Sequence, residues 1–231
     1  MRMVVFGANG ATGRLLVRAA LDAGHLVVAV TRRPASFPVA GERLVVSGAD
    51  VLDRAAVAAA VRGADVVLST LGVPFTRKPI TVYSAGMATI AAAMSRHGVK
   101  RVIAVSSSAT EPSHHAEGGF LLNQVLQPLV TATVGKTTYA DMRRMEGFLR
   151  GSDLDWTVMR PSGLFDAAAV SDYHLSQDRA DGIFTSRIDL AASMLAQATS
   201  TAWVRRCVAV NTSAGAPTLF QMFRREAFRR G

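Results

Sequence analysis

The chain has 231 residues, of which 49% are hydrophobic, and carries a formal net charge of +9 at pH 7. This composition predicts one α/β domain with a sizeable core, and we interpret the basic clusters at 205–206 and 223–231 as solvated surface rather than a nucleic-acid site. Because the chain has one cysteine, no run of 18 apolar residues and no signal-peptide pattern, we expect a cytoplasmic protein without disulfides or a membrane partner.

The first predicted elements enclose a glycine-rich turn. Residues 3–6 are apolar on both faces, as in a buried parallel strand, and helical spacing runs over 15–23. Glycines in the turn let the backbone approach a pyrophosphate, and the helix N-terminus offers N–H groups to it. The turn therefore predicts a dinucleotide site, whose expected contacts are Gly7, Asn9, Gly10, Ala11, Thr12 and Gly13.

Strands alternate with helices along the rest of the chain. This alternation predicts a Rossmann-type doubly wound parallel sheet in three α/β/α layers, with a single domain spanning 1–231. The further predicted strands are 26–31, 44–47, 64–71, 100–106, 155–160 and 207–210, and the further predicted helices are 52–62, 80–97, 138–150, 190–198 and 219–229.

Residues 109–135 interrupt the alternation after the fifth predicted strand. They combine loop chemistry with an apolar run, so we interpret them as an insert at the carboxyl edge of the sheet that forms either a lid or a subunit contact. A short packing helix is the alternative, and both a monomer and a homodimer stay open. The adjacent His114 and His115 make a poor chelate, so we expect no metal site.

Two arginines end the second predicted strand. An NAD-specific site places an acidic residue at this position, whereas a guanidinium suits the 2′-phosphate of NADP. Arg32, and after it Arg33, therefore predict NADP (NADPH) as the cofactor. The alternative is a surface pair in an arginine-rich chain.

Five short segments carry a family resemblance. They are GANGATG at 7–13, with G-x-x-G-x-x-G spacing, GADV at 48–51, STLG at 69–72, VSSS at 105–108 and LDWTVMRPSG at 154–163. Together they resemble the atypical short-chain dehydrogenase/reductases, and within them the NAD(P)H-binding branch that contains NmrA-like proteins and the biliverdin reductase B or flavin reductase type.

The resemblance implies further cofactor contacts along the carboxyl edge of the sheet. The expected contacts are Asp50, Val51, Leu71 and Gly72 around the adenosine and Pro161, Ser162 and Gly163 around the nicotinamide, with Ser106 as a further cofactor contact.

The resemblance also implies a catalytic set, and here the chain departs from the usual pattern. Short-chain dehydrogenases combine a serine with a Tyr-x-x-x-Lys helix, in which the lysine lowers the pKa of the tyrosine. The candidates are Ser107 or Ser108 with Tyr139, but Arg143 stands where the lysine is expected, and Lys136 is a possible substitute. The alternative is that Tyr139 packs while Asp141, Arg143 and Glu146 form a solvated or ion-paired helix face.

These observations lead to two functional hypotheses. The first is an NADPH-dependent oxidoreductase that transfers hydride to a conjugated, flavin- or quinone-like small molecule, because such acceptors need little acid–base help from the protein. The second is a non-catalytic NADP-sensing regulator of the NmrA-like type that acts through a protein partner.

Overall fold

The computed structural model describes residues 1–74, 76, 78–111, 135–177 and 182–213. Its helices are α1 (Ala11–Asp22), α2 (Arg54–Val61), α3 (Val82–His97), α4 (Lys136–Arg150) and α5 (Arg187–Thr199). Its strands are β1 (Arg2–Phe6), β2 (Leu26–Thr31), β3 (Leu44–Gly48), β4 (Val66–Ser69), β5 (Arg101–Val105), β6 (Asp155–Pro161), β7 (Gly163–Phe165), β8 (His174–Gln177), β9 (Phe184–Ser186) and β10 (Arg206–Asn211).

Eight strands form the central sheet in the order β3-β2-β1-β4-β5-β6-β10-β8. The pairs from β3 to β10 are parallel, and β8 joins the edge antiparallel to β10. This arrangement confirms the predicted Rossmann-type α/β domain, while β8 makes the sheet mixed. The chain order reverses between β1 and β4, which is where ligands bind in open α/β sheets.

Helices cover both faces of the sheet, as alternation along β1 shows. Val4 and Phe6 pack in the core beneath α2, α3 and α4, whereas Met3 and Val5 pack beneath α1 and α5. All four side chains are almost completely buried, which explains why this strand is apolar on both faces. Within the described ranges, no helix is both long and apolar enough to cross a membrane.

The sequence predicted no element between 161 and 189, but the structure has three short strands there. β7 and β9 pair with each other in a small parallel sheet, and β8 completes the edge of the main sheet. Strands of three or four residues are too short for their periodicity to be recognised. The central part of the predicted insert, 112–134, His114, His115 and the predicted helix 219–229 lie outside the described residues.

Candidate functional site

A cleft of about 910 Å³ follows the carboxyl ends of five parallel strands, β1 to β5. The sheet order places the ends of β3 and β2 on one side of the cleft and the end of β5 on the other. Twelve of the predicted cofactor contacts line it: Gly7, Asn9, Gly10, Ala11, Thr12, Arg32, Arg33, Asp50, Val51, Leu71, Gly72 and Ser106.

The glycine turn packs so closely against the protein's own backbone that two of its positions leave no room for a side chain. Gly7 has φ +74°, and a Cβ atom there would stand 2.5 Å from the Thr70 carbonyl oxygen. A Cβ on Gly13 would stand 2.4 Å from the Gly7 oxygen, so Gly13 brings α1 against the turn from behind the cleft. Gly10 is the N-cap of α1 and provides no capping side chain. The first-turn N–H groups are therefore suited to an anionic ligand.

Exposed polar side chains gather where β2 ends. Arg32 and Arg33 both line the cleft, and the Arg33 N–H donates to the Thr31 hydroxyl at 3.2 Å. Ser36 lines the cleft beside them, donates to the Arg33 carbonyl and accepts from the Asn9 amide at 3.4 Å. This corner therefore carries two guanidinium groups and a hydroxyl without an acidic side chain at the strand end, a combination that suits a phosphate.

The neighbouring wall is formed by residues after β3 and β4. Asp50 accepts a hydrogen bond from the Leu52 N–H at 2.9 Å, which fixes the turn. Val51 and Leu71 meet above a glycine of α3: a Cβ on Gly86 would stand 3.0 Å from Val51 and 3.3 Å from Leu71. α3 thus approaches these two contacts closely, and the sequence analysis did not identify this role of Gly86.

A buried acid on α4 holds the first turn of α3 at the cleft. Asp141 is fully buried and accepts from the backbone N–H of Tyr83 at 2.9 Å and from the N–H and hydroxyl of Ser84. Arg144 pairs with the same carboxylate at 3.0 Å. Tyr83 lines the cleft, and burial raises the pKa of its phenol. Of the two possibilities for Asp141, solvated or ion-paired, the structure shows the ion-paired one, with the carboxylate inside the protein.

A second buried acid of α4 lies behind the end of β5. The Ser106 hydroxyl donates to Glu146 Oε1 at 2.6 Å, and Arg160 holds the same carboxylate through Nε at 3.1 Å and Nη2 at 2.5 Å. Arg160 also forms a bidentate pair with Glu111. Burial opposes the charge of Arg160, but the two glutamates outweigh it and raise its pKa. Glu146 is thus ion-paired as expected, but it is not solvated.

The predicted catalytic residues lie next to this network, outside the set that lines the cleft. Tyr139 is buried and hydrogen-bonded to Ser107; burial raises the pKa of its phenol, and the Ser107 bond offsets part of that rise. Ser107 also accepts from the Ala109 N–H, and Ser108 begins a half-buried turn. Arg143 is exposed and donates to the Thr110 carbonyl at 3.1 Å. Lys136 is the exposed first residue of α4.

The predicted nicotinamide contacts run from the last residue of β6, Pro161, to the first residue of β7, Gly163, and are likewise not among the lining residues. The Ser162 N–H donates to the Thr185 hydroxyl, and the Gly163 N–H donates to the Ile183 carbonyl, while Pro161 pairs with β10. Leu164 lines the cleft instead.

Sequence reasoning also missed several lining residues, because they follow no motif. They come from helix faces and from the strands that the sequence pattern did not indicate: Arg14, Ser36, Tyr83, Met142, Leu164 and Arg187.

Comparison with known proteins agrees with this geometry. A family model described as NAD(P)H-binding matches residues 7–201, which confirms the predicted class of cofactor. The chain is 37% identical over 108 residues to an uncharacterised protein of Mycobacterium tuberculosis; the match covers 46% of this chain and only 12% of that protein.

Solved structures share the fold over nearly the whole chain. A short-chain dehydrogenase/reductase from Veillonella parvula in complex with NADP is 20% identical, with a TM-score of 0.73, covering 92% of this chain and 95% of that one. An anaerobilin reductase from Escherichia coli O157:H7 is 22% identical, with a TM-score of 0.74, covering 94% and 100%. At these identities the likeness supports the fold alone.

Proposed function

The chain belongs to the NAD(P)H-binding family, and from this premise we propose that it is an NADPH-dependent reductase of conjugated, flavin- or quinone-like small molecules. The observation that carries the proposal is the cleft itself, which joins the glycine turn and the arginine corner, Arg32 and Arg33 at the end of β2, to a mostly apolar wall at the end of β5. The Veillonella short-chain dehydrogenase/reductase, which binds NADP, and the Escherichia anaerobilin reductase point in the same direction.

NADPH is the proposed cofactor because its extra phosphate matches the arginine corner. The 2′-phosphate would lie by Arg32 and Arg33, with the Ser36 hydroxyl as a further partner, and the pyrophosphate would lie on the first turn of α1. Two charge-assisted contacts of this kind favour NADPH over NADH.

The far wall of the cleft indicates the kind of acceptor. Val105, Ser106, Met142 and Leu164 line it, and none of these four side chains titrates near neutral pH. When bound, the dinucleotide supplies a hydride, and the acceptor must then take its proton from solvent or from a protein hydroxyl. Electron-poor conjugated rings accept hydride without prior protonation, whereas simple ketones need a positioned acid.

Tyr139 and Ser107 complete the proposal as a hydroxyl pair beside this wall. Burial raises the pKa of Tyr139, so its phenol keeps its proton at neutral pH and serves as a donor rather than as a base. Its partner Ser107 fixes the direction of the phenol. We assign both a supporting role in reduction, and Arg143, which donates to the Thr110 carbonyl, a role in holding the base of the insert.

One observation favours the regulatory alternative. Tyr139 lies behind the lining residues, and Arg143 is engaged by a backbone carbonyl, so the described residues contain no Tyr-Lys pair at the cleft. An NADP-sensing protein would need the cofactor site and no such pair.

NADPH oxidation, followed by its absorbance with FMN, dichlorophenolindophenol and benzoquinone as acceptors, separates the two hypotheses. We expect turnover with at least one acceptor, and we expect Tyr139→Phe and Ser107→Ala to lower kcat by less than about tenfold, because general acid catalysis by a required residue contributes roughly 10²–10⁴-fold. Tight NADPH binding without turnover on any acceptor would contradict the reductase and support the sensor. A loss of more than about 10²-fold in Tyr139→Phe would instead indicate a carbonyl reductase.

A further inference from the structure

A second pocket, of about 340 Å³, lies at the amino ends of β6 and β10. The cofactor cleft follows the carboxyl ends of the parallel strands, so the two sites are at opposite ends of the sheet. None of the described residues that line this pocket also lines the cleft. The lining residues are Arg150, Trp156, Gln177, Arg205, Arg206 and Cys207.

One of the three lining arginines already has acidic partners. Arg150, the last residue of α4, contacts Glu111 at 3.3 Å and Glu146 at 3.4 Å. The same two glutamates also hold Arg160, so two carboxylates balance two guanidinium groups here. Burial raises the pKa of the neighbouring Cys207 thiol, which therefore adds no negative charge at neutral pH.

The other two lining arginines are not balanced in this way. Arg205 and Arg206 are exposed and form no salt bridge within the part of the chain that the structure describes. Asp153 lies within electrostatic reach of Arg205, but it is paired with Lys100 at 2.6 Å. The pocket therefore carries an excess of two positive charges over the described acids around it.

The backbone fixes these arginines beside a buried indole ring. The Arg205 N–H donates to the Trp156 carbonyl at 2.6 Å, and Arg205 is the one non-glycine residue of the described ranges with a positive φ, +57°. Such conformations are concentrated at binding sites. The Trp156 side chain is 5% exposed, and its Nε1 has no hydrogen-bond partner among the described residues. Buried N–H groups are rarely left without a partner, so the wall of this pocket is incomplete.

We propose that this pocket is a second binding site, separate from the cofactor cleft, for the phosphate group of a small phosphate monoester. Guanidinium groups bind phosphate oxygens through paired, charge-assisted hydrogen bonds. A phosphate monoester carries a charge of about −1.5 to −2 at pH 7, which balances two arginines better than a single carboxylate does. The volume is at the lower end of the about 300–1,000 Å³ usual for small-molecule sites and leaves room for a short organic group.

Tryptophan fluorescence can locate binding, because Trp156 lines this pocket and neither tryptophan of the chain lines the cleft. The probes are inorganic phosphate and glycerol 3-phosphate, titrated at constant ionic strength, with acetate as a singly charged carboxylate. We expect a saturable change with both phosphates. Glycerol 3-phosphate should bind at least as tightly as inorganic phosphate, and acetate at least about tenfold more weakly.

The chain offers two adjacent arginine pairs for matched variants, each of which removes two positive charges. Arg205→Gln with Arg206→Gln removes the pair at this pocket and should weaken phosphate binding at least about tenfold. Arg32→Gln with Arg33→Gln removes the pair at the cleft and should leave the fluorescence titration unchanged. All four side chains are exposed, so we expect both variants to fold.

The site would be overturned by a titration without a saturable change, by the same change with sodium chloride, or by equal losses in the two double variants. Acetate binding as tightly as inorganic phosphate would overturn the choice of a phosphate. Glycerol 3-phosphate binding about tenfold more weakly than inorganic phosphate would overturn the choice of an ester. NADPH oxidation is measured separately, so the reductase and this site can fail independently.

Discussion

Glu146 and Arg160 form a bidentate salt bridge inside the protein, with side chains that are 2% and 1% exposed. Removing Glu146 leaves the buried Arg160 guanidinium with the partly exposed Glu111 as its other acidic partner, and it leaves the Ser106 and Thr110 hydroxyls without their acceptor. We expect Glu146→Ala to lower the free energy of unfolding in urea by about 3–5 kcal/mol. Lys100→Ala, which removes the exposed Lys100–Asp153 pair, is the comparison and should cost much less, because solvent screens this pair. Similar losses in the two variants would show that the buried pair is not stabilising.

Asp141 satisfies the first turn of α3 from a neighbouring helix. Asp141→Ala removes the acceptor of the Tyr83 and Ser84 N–H groups and leaves donors unsatisfied in a buried site. The expected loss is about 2–3 kcal/mol in chemical denaturation, with weaker NADPH binding because Tyr83 lines the cleft. Asp141→Asn keeps one acceptor oxygen and should recover part of the loss; a further loss relative to alanine would argue against the capping role.

Two substitutions separate the two reasons for a glycine at position 7, which are its positive φ and the lack of space for a side chain. Gly98, at the end of α3, shares only the first reason. Both have positive φ, +74° and +69°, but a Cβ on Gly98 meets no atom within 4 Å. Gly98→Ala should cost about 1–2 kcal/mol of stability and leave NADPH binding unchanged. Gly7→Ala adds the overlap with the Thr70 carbonyl, so we expect roughly 2–4 kcal/mol and a large loss of NADPH affinity by titration. Equal effects in the two variants would remove the steric argument.

Arg32 should discriminate between the two nicotinamide cofactors. Arg32→Ala is expected to weaken NADPH about 10–100-fold and NADH less than about twofold, because only NADPH carries the 2′-phosphate. Calorimetric titration with both cofactors measures this ratio. Arg18→Ala removes an exposed arginine of α1 that does not line the cleft, and should leave the ratio unchanged. Equal losses for NADPH and NADH in Arg32→Ala would place Arg32 away from the phosphate.

The protonation of Glu111 is expected to make the free energy of unfolding depend on pH in the acidic range. The hydrogen bonds from Arg160 lower the pKa of Glu111 below its ordinary value of 4.5. The unfolded chain therefore takes up this proton first, so the contribution of Glu111 to stability is complete above that value and is lost as pH falls through the folded pKa. Glu111→Gln should flatten the fall of unfolding free energy across this acidic range. Glu42→Gln, at an exposed carboxyl group, is the matched comparison.

The parts of the fold that could be predicted are those with local signatures. The turn at 7–13 has its own spacing, and β1 is apolar on both faces because helices cover both. The pair Arg32 and Arg33 follows β2 directly, so its place at the cleft follows from the fold class. In each case the determining interactions lie within a few residues along the chain or follow from the alternation of strands and helices.

The rest depends on partners far apart in sequence. Asp141 and Glu146 look like surface acids of a polar helix, and only Tyr83 and Arg160, from other elements, show that both are buried. The short strands after β6 have no recognisable period, so the position of Leu164 at the cleft could not be predicted. Polar periodicity does not distinguish a solvated face from one whose charges are neutralised inside the protein.

The two acids of α4 stand five residues apart, which is about 140° around a helix axis. One faces the start of α3 and the other faces the end of β5, so each supports a different wall of the cleft. A single inserted residue between them would turn one carboxylate by about 100° away from its partners. The spacing of these two carboxylates along one helix therefore determines how the two supported walls of the cleft are positioned relative to each other.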